Sequence, residues 1–79
     1  MKGKVPLKNI AILGSTGSIG RSALQVVEQF PDRLRIVALA AGRNIDLLAE
    51  QIHRFRPRLA AVLDHQLAKD LTSRLQPGI

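Results

Sequence analysis

The 79-residue chain has no cysteine, no tryptophan and no tyrosine. Without cysteine there is no disulfide framework and no thiolate metal site. Its only aromatic residues, Phe30 and Phe55, stand at apolar helix positions, so no stacking platform for nucleobases is visible. No apolar run approaches the ~18 residues of a membrane span. Acidic residues are also scarce, 6 against 12 lysines and arginines, for a net charge of +6. Such a balance can mark a nucleic-acid binder. Here a basic surface is all that supports that reading, and Arg54, Arg56 and Arg58 flank Pro57 at a helix end, where cations suit the dipole. The expectation is therefore a chain that binds neither nucleic acid nor membrane. A hydrophobic content of 46% argues against disorder. Residues 1–7 are basic and lead into the first strand without an apolar signal core, which reads as a cytoplasmic tail.

The most informative feature present is the turn Gly14-Ser15-Thr16-Gly17-Ser18-Ile19-Gly20. It follows the apolar run Ile10-Ala11-Ile12-Leu13 and opens an amphipathic stretch from Ser18 to Phe30. A strand, a glycine-rich turn and a helix together form a phosphate-binding device. Glycines let the backbone approach a pyrophosphate, and the free N–H groups at the helix start point at it. The spacing Gly-x-x-Gly-x-x-Gly has one residue more than the usual dinucleotide fingerprint, but its place between strand and helix is the one that fingerprint requires. The hydroxyls of Ser15, Thr16 and Ser18 are further candidate donors to phosphate, although such residues are common in turns.

The remainder continues the alternation. Lys8 to Leu13 reads as a strand buried on both faces. The first helix offers Ile19, Ala23, Val26, Val27 and Phe30 as its buried face and ends at Pro31. Leu34 to Ala41 is a second strand. Asn44 caps a second helix that buries Ile45, Leu48, Ala49, Ile52 and Phe55 and stops before Pro57. Leu59 to Leu63 is a third strand; Asp64 caps a third helix with Leu67, Ala68, Leu71 and Leu75 buried, and Gln76-Pro77-Gly78 terminates it. Short-linked β-α-β-α-β-α implies an α/β fold with a parallel sheet and right-handed crossovers. This is the first half of a doubly wound, Rossmann-like domain with strand order 3-2-1. Both crossover helices then lie on one face, and the other face and the free edge of the first strand have no cover. The chain is expected to be the N-terminal piece of a longer polypeptide.

The end of the second strand reports on the nucleotide. NAD enzymes place an acid there, about 20 residues past the glycines, to accept from the ribose 2′-OH, whereas a 2′-phosphate calls for an arginine. The strand ends Leu39-Ala40-Ala41-Gly42-Arg43-Asn44, with no acid and with Arg43 directly after it. The first acid beyond, Asp46, is explained by its place in the first turn of a helix. The residues favour NADP over NAD; Arg21 is a second candidate for the phosphate but reads better as a solvated helix residue. His53 and His65 lack metal-ligand spacing, and no nucleophile–base pair or carboxylate dyad is present.

Two strings, Ile12 to Gly20 and Val37 to Asn44, closely resemble the N-terminus of the 1-deoxy-D-xylulose 5-phosphate reductoisomerase family, and Phe55-Arg56-Pro57 and Asp64 also fit. The resemblance runs from about Lys8 onward. It implies isomerisation and NADPH-dependent reduction of 1-deoxy-D-xylulose 5-phosphate to 2-C-methyl-D-erythritol 4-phosphate, in non-mevalonate isoprenoid synthesis, by a homodimer that uses Mg or Mn. It assigns cofactor contacts to Thr16, Gly17, Ser18 and Ile19 at the glycine turn, to which the turn itself adds Gly14 and Ser15 as candidate cofactor-binding residues. Gly42, Arg43 and Asn44 would hold the adenosine ribose and its 2′-phosphate. It also implies that the metal carboxylates and the phosphosugar site lie beyond Ile79, so that these residues alone would not catalyse the reaction. Another NADP-dependent reductase, or a non-catalytic NADP-sensing module, remains an alternative reading of the same residues.

Overall fold

A computed structural model describes residues 7–75. The expectations for the basic residues 1–6 and for Gln76-Pro77-Gly78 as a helix terminator lie outside the described residues. The elements are β1 (Lys8–Leu13), α1 (Ser18–Gln29), β2 (Leu34–Ala40), α2 (Ile45–Phe55), β3 (Leu59–Ala61) and α3 (His65–Arg74). The three strands pair in parallel in the order β1-β2-β3, so β2 is central and the 3-2-1 arrangement holds. α1 and α2 pack side by side on one face, where Arg54 of α2 pairs with Glu28 of α1 at 3.1 Å. α3 packs against α2.

The core lies between that face of the sheet and the helices: Ile12, Ile36 and Leu39 from the strands, Leu24 and Val27 from α1, Ile45, Leu48, Ala49 and Ile52 from α2. A register shift shapes it. Ile10 pairs with Ile36 but Ala11 pairs with Ala38, which leaves Val37 as an extra residue in β2. This bulge turns Ile36 and Leu39, three residues apart, onto the same buried face at 3% and 1% exposure. The Val37 carbonyl accepts from the Arg58 N–H at 2.9 Å instead.

Several expectations are corrected. β1 is not buried on both faces: Ile12 is buried, whereas Ala11 and Leu13 are exposed, because the helices cover one face only. The buried face of α1 is Gly20, Leu24 and Val27, while Ile19, Val26 and Phe30 are exposed. The cause is Gly20, which sits directly on the glycine turn and fixes the rotation of the helix. β3 stops at Ala61 rather than Leu63, since β2 offers it partners only from Ala38 to Ala40. In α3, Ala68 is exposed and Leu71 carries the burial. α2 buries Ile45, Leu48, Ala49 and Ile52 as expected, with Phe55 half-buried and Gln51 buried beside them, and both side-chain caps are as expected: Asn44 Oδ1 accepts from the Leu47 N–H at 3.2 Å, and Asp64 Oδ1 from the Leu67 N–H at 2.9 Å.

Candidate functional site

Parallel register places Leu13 beside Ala40, so the turns after β1 and β2 leave the same end of the sheet next to each other. This is where open α/β sheets bind ligands, in the crevice beyond the carboxyl ends of the strands.

The first turn is closely specified. Gly14 adopts φ +75°, a left-handed conformation that side chains disfavour. The N–H groups of Gly14 and Ser15 both donate to the Ala40 carbonyl, at 2.7 and 2.9 Å, which ties the turn to β2. The Gly17 N–H donates to the Gly14 carbonyl at 3.0 Å and closes it. α1 then starts with Gly17 as a cap that supplies no side-chain acceptor, and its first turn holds no acid. Its first internal bond runs from the Arg21 N–H to the Gly17 carbonyl at 2.9 Å. The N–H groups of Ser18, Ile19 and Gly20 precede that bond, at the positive end of the helix dipole, and are suited to an anion. Gly20 is obligatory for a packing reason: a Cβ there would stand 2.2 Å from the Gly14 oxygen and 2.8 Å from Ser15 Cα. An open groove of about 440 Å³ runs along this end, lined by Leu13, Gly14, Gly17, Ser18 and Ile19 among others.

The expected donors divide. Ser18, Gly17 and Ile19 are exposed at the groove and Thr16 is half-buried. Ser15 is fully buried, with its N–H on Ala40 and its carbonyl accepting from Gln51 Nε2 at 2.9 Å. Its hydroxyl is shielded from solvent, and its peptide links the turn to β2 and α2. Gln51, on α2, was not singled out from the sequence. The available signal was a polar residue three after Leu48, on the apolar face of the helix.

The second turn is open. Gly42, Arg43 and Asn44 are exposed, and a Cβ at Gly42 would meet nothing within 4 Å. The turn is held at its ends, by the Ala41 N–H on the Ala61 carbonyl at 3.0 Å and by the Asn44 cap. Asp46 pairs with Arg74 of α3 at 2.6 Å, so the first acid after β2 is engaged elsewhere and leaves Arg43 as the charged residue of the turn. Arg21 lines a separate groove between α1 and α2 with Glu28, Glu50 and Arg54. His65 is exposed at the start of α3 and His53 is half-buried in α2. Among the described residues no three His, Asp or Glu side chains cluster as metal ligands.

Comparison with known proteins decides the family. The family profile described as 1-deoxy-D-xylulose 5-phosphate reductoisomerase matches residues 10–78. The chain belongs to this reductoisomerase family. A reductoisomerase of Anaeromyxobacter sp. (strain K) is 56% identical over 72 residues, covering 91% of this chain and 18% of that protein. One from Moorella thermoacetica is 55% identical over 73 residues, covering 91% and 19%. Among solved structures, the reductoisomerase of Zymomonas mobilis in complex with NADPH superposes with a TM-score of 0.81 at 36% identity, over 87% of this chain and 18% of that one. A reductoisomerase in complex with NADPH, fosmidomycin and magnesium gives 0.76 at 37% identity, over 85% and 17%. The chain thus spans about a fifth of the length of its reductoisomerase relatives.

Proposed function

We propose that this chain is the NADPH-binding segment of a 1-deoxy-D-xylulose 5-phosphate reductoisomerase. The observation that carries the reading is the pair of adjacent turns: one presents free helix N–H groups in a groove without an acid, and the other carries Arg43 where an NAD enzyme would carry a carboxylate. In this reading Thr16, Gly17, Ser18 and Ile19 bind the pyrophosphate, and Gly14 and Ser15 shape the turn beneath it. Gly42 leaves room for the adenosine ribose, and Arg43 and Asn44 face its 2′-phosphate. The fit is physical, since the start of α1 has no side-chain cap and no acid to compete with an anion, and the space at Gly42 is open. When bound, NADPH supplies the hydride for reduction.

The chain's own residues bind and orient the cofactor. The proposed substrate, 1-deoxy-D-xylulose 5-phosphate, and a divalent cation, Mg or Mn, would be held by residues outside this segment. The exposed side chains Leu13, Leu59 and Leu63, at 85%, 64% and 61%, suit cover by further protein. On the same reading the whole protein is a cytoplasmic homodimer, as the family resemblance implies. Titrating the full-length protein with NADPH and NADH by nucleotide fluorescence tests the reading. Clear preference for NADPH is expected; equal affinity, or none for either, would overturn it.

A further inference from the structure

A buried polar side chain in the middle of α2 is unexpected among Leu48, Ala49 and Ile52, which are 0%, 6% and 4% exposed. Gln51 is itself only 6% exposed, and a polar group in such a place is costly without a partner. Its partner is distant in sequence: Nε2 donates at 2.9 Å to the carbonyl of Ser15, thirty-six residues earlier. We infer that Gln51 is a positioning residue for the phosphate-binding turn, holding the Ser15 peptide so that the N–H groups at the start of α1 keep a fixed aim.

Ser15 is gripped from two directions. Its N–H is drawn to β2 through the Ala40 carbonyl, and its carbonyl is drawn to α2 through Gln51. Gly20 of α1 closes the third side, with no room for even one carbon. Two of these grips are made by backbone and by the lack of a side chain. Gln51 is the one made by a functional group, and it comes from the helix that starts directly after Asn44. The same residue therefore ties the turn proposed for the pyrophosphate to the helix that carries the turn proposed for the 2′-phosphate. Among the described residues Gln51 Oε1 and Ser15 Oγ have no hydrogen-bond partner, so the amide nitrogen makes the clamp. A carbonyl left buried without its donor would pull the turn toward solvent and spread the positions of the helix N–H groups.

The inference rests on the NADPH reading, and the test separates the two. In the full-length protein, Gln51→Met keeps the length of the side chain and loses the donor. NADPH and NADH dissociation constants should both rise about ten-fold, the order of one lost hydrogen bond, because the pyrophosphate is common to both. At saturating NADPH, kcat should be little changed. Amide hydrogen exchange at residues 14–18 should quicken in the cofactor-free variant. Ile52→Val, which disturbs the same helix without touching Ser15, should leave both dissociation constants and the exchange of the turn unchanged. If Gln51→Met binds both nucleotides like the wild type, or if Ile52→Val weakens binding as much, Gln51 does not position the turn. A wild-type protein that binds neither nucleotide would refute the NADPH reading instead.

Discussion

The turn at Gly14–Gly17 is held from three sides by β2, α1 and α2, whereas the neighbouring turn at Gly42–Asn44 is held at its two ends and by the Ile45 N–H on the Arg43 carbonyl, with its side chains facing solvent. They leave the same end of the sheet and, on the reading above, face the same cofactor. The difference follows from what each must do. A pyrophosphate is bound by backbone N–H groups, whose directions are set by the path of the chain, so that path must be rigid. A ribose phosphate is selected by the charge and reach of one side chain, which needs an open place on a short loop. In the first turn, substitutions should therefore act through the path of the backbone and the space beside it; in the second, Arg43 should act through its charge and Asn44 through the cap of α2.

The largest effect should come from Gly20→Val, which drives a branched side chain into the Gly14 and Ser15 backbone. Overpacking of this kind costs about 3 kcal/mol or more, a large part of a domain's stability. A denaturant melt should show it, together with loss of NADPH binding. A stable, binding-competent variant would mean that α1 can slide off the turn.

Gly17→Val should separate binding from folding. The backbone there is extended, at φ −78° and ψ 172°, and a Cβ would lie at an ordinary 3.4 Å from the Gly14 oxygen, so the fold should lose only about 1 kcal/mol. The side chain would occupy the groove, and NADPH titration should detect no binding in a variant that still melts cooperatively. Undiminished affinity would place the phosphates elsewhere.

Arg43→Ala should touch selectivity alone. Loss of a charge-assisted contact is worth roughly 1.5–3 kcal/mol, so the NADPH Michaelis constant should rise about ten-fold or more, with little change for NADH and none in thermal stability. Equal losses for both cofactors would count against the 2′-phosphate role. The smallest effect belongs to the cap. Asn44→Ala should lower stability by about 1 kcal/mol in a denaturant melt, and Asn44→Asp, which keeps an acceptor for the Leu47 N–H, should restore it. A neutral alanine variant would mean that the cap bond contributes nothing measurable.

Much of this organisation was legible in the sequence because it depends on local rules. The glycine turn, the proline stops, the Asn44 and Asp64 caps and the apolar face of α2 each follow from backbone preference or helical spacing within a few residues. The choice of Arg43 over an acid is also local, since it needs only the end of β2 and the sign of a charge. Short-linked alternation of strands and helices then implied a parallel sheet in the order found, because right-handed crossovers leave few other arrangements.

Tertiary structure alone decided the rest. Apolar spacing offered Ile19, Ala23, Val26, Val27 and Phe30 as the face of α1; Val27 is buried as expected, but the contact of Gly20 with the turn rotates the helix to bury Leu24 and leaves Ile19, Val26 and Phe30 exposed. The bulge at Val37 sets which residues of β2 enter the core, and pairing across strands, which no short window of sequence contains, creates it. Ser15 is sealed inside the turn, and a residue thirty-six positions away donates to its carbonyl, which no short window of sequence shows. A sequence read in short windows states what each segment prefers. Which side of a helix meets the sheet, and which polar group is sealed inside, depends on contacts between segments that only the packed chain brings together.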